Sequence, residues 1–163
     1  MIVAATADGL LTTDTVSLLS IAKPEARAAF LVLTTAANQT LTLTPEHHVP
    51  VGVACCSTLK KAKDVRVGES VWAVEDGATA ASVIVATISK AQGAGLHSPV
   101  LTNGGFPIVD GIVTAFDSIE TVSLARFGLA PLIAACKSSG TCAKFRELFL
   151  ASDRQYVEVG LEQ

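Results

Sequence analysis

The sequence predicts an all-β core made of two related halves, followed by a short helical extension. Three observations carry this reading. Strand-forming runs fill the first two thirds of the chain, among them Ala29–Thr35 (AFLVLTT), Thr40–Thr44 (TLTLT) and Ser82–Ile88 (SVIVATI). These are β-branched and aliphatic residues of the kind that suits a pleated, half-buried surface. A second observation is repetition at a constant spacing. Val3, Ala5, Asp8 and Gly9 return as Val71, Ala73, Asp76 and Gly77, 68 residues on; Val16 returns as Ile84, and Val32-Leu33-Thr34 as Val100-Leu101-Thr102. A gap-free offset of this kind marks a duplicated unit. Third, the apolar spacing of the last third changes from two to three and four, as in helices. The chain therefore divides into a β domain, 1–118, and a helical extension, 119–163.

Each element has its own signal. Met1–Ala5 reads as the interior of a strand, and Ala7-Asp8-Gly9 as the turn that follows it. Ala29–Thr35 and Thr40–Thr44 form a hairpin across Ala36–Gln39; in the second strand Leu41 and Leu43 alternate with threonines, the period of a half-buried strand. Leu59–Gly68 joins the halves. Val71–Val74 and Ser82–Ile88 are two more strands, with Asp76-Gly77 as the turn between them, and Phe106–Val113 is a strand pair folded at Asp110-Gly111. Ser123–Cys136 and Thr141–Ser152 read as helices separated by Ser138-Ser139-Gly140, with Thr141 as an N-cap. Tyr156–Val159 reads as a final strand.

Composition excludes several classes. Of 163 residues half are hydrophobic and 17% charged, which rules out a disordered chain. No apolar run is long enough to span a bilayer as a helix. The net charge of −3, the lack of a basic stripe and an aromatic content of 5% argue against nucleic acid as a partner. The four cysteines, Cys55, Cys56, Cys136 and Cys142, lack zinc-site spacing, and no metal or cofactor is expected. The first five residues have neither the basic region nor the apolar core of a signal peptide.

Few residues can carry chemistry. Thr44 and His47 stand three apart at a strand end, where a hydroxyl could hold a backbone amide and an imidazole could exchange a proton near neutral pH. The plainer alternative is a polar turn whose histidines, His47 and His48, are solvated or cap the strand. Cys55-Cys56 offers a thiol to pair with His47; the alternative, which we favour, is a pair of small packing residues that do not bond to each other. Asp76 and Asp110 precede glycines and read as turn formers, and no phosphate loop, serine elbow or carboxylate pair is present.

The string Leu41-Thr42-Leu43-Thr44-Pro45-Glu46-His47 resembles a segment of the hedgehog autoprocessing domain, the Hint module shared with inteins. Further pieces follow in family order: Asp14-Thr15-Val16, Val67–Val71, Gly95–Thr102, Val109–Val113 and Ser123–Pro131. The resemblance covers nearly the whole chain. It implies a duplicated β horseshoe with pseudo-two-fold halves. It also implies self-processing of a peptide bond upstream in the same polypeptide, by an N-to-S acyl shift to a thioester. On that reading His47 is the proton donor and Thr44 the amide-positioning hydroxyl. A sterol or another small nucleophile is the acceptor class, and the secretory pathway or the extracellular space the setting.

Departures from the pattern shape the expectation. The initiating cysteine of the family has no counterpart, and the chain is read as starting after it. Ile21 stands where hedgehog domains carry the aspartate that activates a sterol, and Thr114-Ala115-Phe116 where a cysteine usually follows the late turn. The first hypothesis is thus a cysteine-dependent autoprocessing peptidase, inactive as this fragment and favouring hydrolysis over sterol transfer. The second is a Hint fold that no longer processes and serves as a binding or structural module.

Overall fold

The computed structural model describes residues 1–74, 77–115, 135 and 138–141. Among these the chain is nearly all strand: β1 (Ile2–Ala5), β2 (Leu11–Asp14), β3 (Val16–Thr35), β4 (Thr40–Leu43), β5 (His48–Val51), β6 (Thr58–Lys61), β7 (Ser70–Ala73), β8 (Ala81–Leu101), β9 (Phe106–Val109) and β10 (Ile112–Val113). One 3-10 turn, Ala62–Asp64, follows β6. The strands form one antiparallel sheet in the order β2-β1-β9-β10-β7-β8-β3-β4, with β5 joined to β7 and β6 to β5.

Local chemistry explains the turns. The β3–β4 hairpin turns at residues 36–39 as expected, with Asn38 at φ 61. Asp110 and Gly111 both take positive φ, 50 and 81, which is what a tight two-residue hairpin turn between right-twisted strands requires. The strand Met1–Ala5 and the turn at Ala7-Asp8-Gly9 also appear, as β1 and its hairpin with β2.

β3 and β8 are far longer than their sequence signals. They run antiparallel over most of their 20 and 21 residues, with register shifts that bend the ribbon. One shift lies between Lys23 and Arg27, at Pro24. Proline cannot donate to the ladder, so the strand passes it as an irregularity. Opposite stands Gly95 at φ 97, where a Cβ would lie 3.7 Å from the Pro24 carbonyl oxygen.

The duplication is visible in the backbone. The 68-residue offset carries β1 onto β7 end to end. Each pairs with the strand that follows it in the chain, and the β9–β10 hairpin bridges the halves, β9 on β1 and β10 on β7. The two glycine turns also pair with each other. Leu10 bridges Thr79; the Leu11 N–H donates to the Ala78 carbonyl at 2.8 Å, and the Ala80 N–H to the Gly9 carbonyl at 2.8 Å. The 68-residue exchange carries the Leu10–Thr79 pair onto the adjacent Leu11–Ala78 pair, so this short ladder joins corresponding turns of the two halves.

The main core lies under β3, β4, β5 and β7, where Leu33, Leu41, Val49, Val71, Val85 and Ile112 are essentially buried. A second cluster joins Ala5, Phe106 and Val113 to Cys55 and Cys56, and a small third one, Ile21, Ala28 and Leu96, stiffens the far end of the ribbon.

Two expectations are corrected. The Leu59–Gly68 segment is not a plain linker, because it holds part of β6 and the 3-10 turn. Cys55 and Cys56 are not separate packing thiols: both are buried, Cys56 sits at φ 63, and their sulfurs are bonded to each other. The helices expected at 123–136 and 141–152 and the strand at 156–159 fall almost wholly outside the described residues. Ala135, Ser138 and Ser139 have helical backbone, and Gly140 at φ 69 follows, so the break expected at Ser138 begins at Gly140.

Candidate active site

The site is built on the turn between β4 and β5. Pro45 presets the φ of a turn's second residue, and the His47 N–H closes the turn by donating to the Thr44 carbonyl at 3.1 Å. The 3-10 turn then clasps it from outside. The Lys63 N–H donates to the Pro45 carbonyl at 3.0 Å and the Ala62 N–H to the His47 carbonyl at 2.8 Å. Charge completes the clasp: the Lys61 ammonium donates to Glu46 at 2.5 Å, and the Lys63 ammonium reaches the other oxygen of the same carboxylate. Burial pushes the Glu46 carboxyl up, but its bonds to Lys61 and Lys63 outweigh this and hold it below the ordinary carboxylate value. The same bond to Glu46 raises Lys63.

His47 is half-buried, and its Nε2 lies 3.2 Å from the carbonyl oxygen of Ala115. A carbonyl only accepts, so Nε2 carries the hydrogen and Nδ1 is the basic nitrogen of the neutral ring. Ala115 is itself fixed. Its N–H donates to the His48 carbonyl at 3.0 Å, and both the hydroxyl and the N–H of Thr114 donate to the Pro107 carbonyl, at 3.0 and 2.8 Å. The β9–β10 hairpin, which joins the halves, thereby also sets the ring of His47.

Thr44 and His47 open onto one cavity of about 210 Å³. Ile21, Phe30, Leu41, Leu43 and Leu96 give it an apolar wall, and His97 stands at its edge. The two residues singled out by sequence are thus brought together. His48 is not with them: it begins β5, is 4% exposed and does not line the cavity. Nor do Cys55 and Cys56, which pack in the cluster of Ala5 and Phe106. Ile21 is 5% exposed and contributes a hydrocarbon wall. Sequence reasoning gave no role to Ala115, which acts through a main-chain oxygen and has no side-chain signature. It gave none to His97 either, which reaches the cavity only through the register of β8 on β3.

The comparisons with known proteins bear on the family and the fold. The family model described as the Hint module matches residues 1–158. No curated protein matches. Solved structures with a similar fold include a variant of the Ssp DnaB mini-intein, with a TM-score of 0.59 and 12% identity over 71% of this chain and 74% of that one. A KlbA intein precursor from Methanococcus jannaschii gives a TM-score of 0.58 and 15% identity over 72% of this chain and 63% of that one. The transcription factor IIB Mvu mini-intein gives 0.52 and 15% over 70% of each. At such identities the likeness speaks for the fold, and it is the duplicated β fold described above. With the family model spanning nearly its whole length, the chain belongs to the Hint module family.

Proposed function

We propose that this Hint module is a self-processing domain acting on its own polypeptide, and that a cysteine carried ahead of Met1 in the precursor starts the reaction. The thiol attacks the preceding carbonyl carbon, the C–N bond breaks, and a thioester and a free amine result. An amine leaves poorly unless its nitrogen is protonated. His47 supplies that proton: with Nε2 turned to the Ala115 carbonyl, the imidazolium delivers from Nδ1. Thr44, on the same cavity, holds the amide by its hydroxyl. A second nucleophile then breaks the C–S bond and frees the upstream segment. The observation that supports this reading most is the anchoring of His47 on Ala115, which orients an imidazole beside Thr44 in a cavity with a largely apolar wall. Ile21, where hedgehog domains carry the carboxylate that activates a sterol, favours hydrolysis as the second step.

The reading is tested with the full precursor, a reporter domain followed by the cysteine-led upstream segment and this chain. Reporter release should occur, and His47→Ala should slow it by about 10²-fold or more. Equal release by His47→Ala would remove His47 from the mechanism. A stop codon directly ahead of Met1 in the gene would leave the non-processing module as the better account.

A further inference from the structure

We propose that His97 is a second catalytic imidazole of this cavity, the general base that activates water against the thioester; this rests on the self-processing reading above. His47 and His97 come from different parts of the fold, the β4–β5 turn and β8, yet both line the same space. No other described residue lining it carries an acid–base side chain: the remainder are apolar side chains, glycine and hydroxyls. The first step leaves His47 engaged with Ala115 and next to the departing amine. The second step needs a base that takes a proton from the incoming nucleophile, and His97 is the group placed to do so.

Its position follows from the backbone. β8 pairs His97 with Ala22, and its ring lies near Gly95, where a Cβ would be 3.7 Å from Nε2. Leu96 and Ser98 on either side are buried, whereas His97 is exposed. It therefore sits where the cavity meets solvent, able to take up water and to return a proton. A cavity of about 210 Å³ has room for several waters at about 30 Å³ each. The step balances without a further reagent. Water oxygen bonds to the thioester carbon, His97 takes its proton, the C–S bond breaks, and the thiolate regains the proton from the imidazolium. A carboxylic acid and a thiol are the products.

The full precursor separates the two steps, because an added small thiol cleaves the thioester without a base that activates water. His97→Ala should slow thiol-free release by about 10²-fold while thiol-triggered release stays within about twofold, and His97→Gln should behave like His97→Ala. Added imidazole should restore part of the thiol-free rate of His97→Ala, and wild-type release in ¹⁸O-water should place the label in the new carboxyl group. Thiol-free release at the wild-type rate by His97→Ala overturns the proposal. So does loss of the thiol-triggered reaction, rescue by Gln, or a product without the label. Failure of His47→Ala in both arms, with the pattern above for His97, keeps the roles distinct. A wild-type precursor inert in both arms removes the self-processing reading and this proposal together.

Discussion

Asp14 shows how much one side chain can organise away from the chemistry. It is 3% exposed and accepts hydrogen bonds from the Thr15 N–H at 2.7 Å, from both the backbone and the side-chain amide of Asn103 at 3.1 and 3.0 Å, and from the Gly105 N–H at 3.3 Å. These tie the end of β2 to the loop that leaves β8 and enters β9. Removing the acceptor leaves the buried Gly105 N–H without a partner, which costs more than the net value of that bond, whereas Thr15 and Asn103 are exposed residues. Asp14→Ala should therefore lower the unfolding free energy by about 2 kcal/mol, read from the midpoint of a urea transition. Asp14→Asn, which keeps one acceptor oxygen, should lose less. An alanine variant within about 0.5 kcal/mol of wild type would show that the loop is held by something else.

At the scale of the element, the Thr44–His47 turn is held by charge as well as by backbone. Glu46 has a folded pKa below its ordinary value because Lys61 and Lys63 overcome its burial. A depressed carboxylate contributes stability that is fully present above the unfolded pKa and is lost as pH falls through the folded one. The pairs are partly exposed, so the contribution is about 1 kcal/mol at most. Glu46→Gln should be less stable than wild type by that order at pH 7, with the two thermal midpoints converging below about pH 4. A gap that persists at low pH would assign the loss to packing. The turn itself was legible in the sequence, as were the Ala36–Gln39 and Asp110-Gly111 turns, because turn chemistry is local. β5 was not: all four of its residues are buried, so it lacks the alternation that marks a half-exposed strand. β6 was hidden by Lys60 and Lys61, which read as a linker. The true length of β3 was hidden by Lys23-Pro24-Glu25, which is crossed as a shift in register, and that of β8 by the polar, glycine-bearing run 89–95. The placement of His97 depends on that same register, and no local pattern encodes it.

For the whole molecule, the question is whether two related halves behave as one cooperative unit. The contacts say that they do. β3 of the first half and β8 of the second are paired along most of their length, and the β9–β10 hairpin bonds to β1 on one side and β7 on the other. Leu33 in β3 and Val71 in β7 belong to one cluster. Trp72, the one tryptophan of the chain, lies in β7 and packs against the cluster of Ala5, Cys55, Cys56, Phe106 and Val113, so it reports on order around β7. Leu33 is 1% exposed, so Leu33→Ala opens a cavity in the first half that should cost about 3 kcal/mol. If the halves fold together, Trp72 fluorescence and far-ultraviolet circular dichroism should give coincident denaturant transitions in wild type, and Leu33→Ala should shift both by the same amount. Were the Trp72 transition to stay at its wild-type midpoint while the dichroism moved, the second half would be folding on its own. The shared core and the ladder between the two glycine turns would then be contacts between two units. The coincident result is the one the mechanism needs, since His47 belongs to the first half and the Ala115 carbonyl that orients it follows β10, at the end of the second.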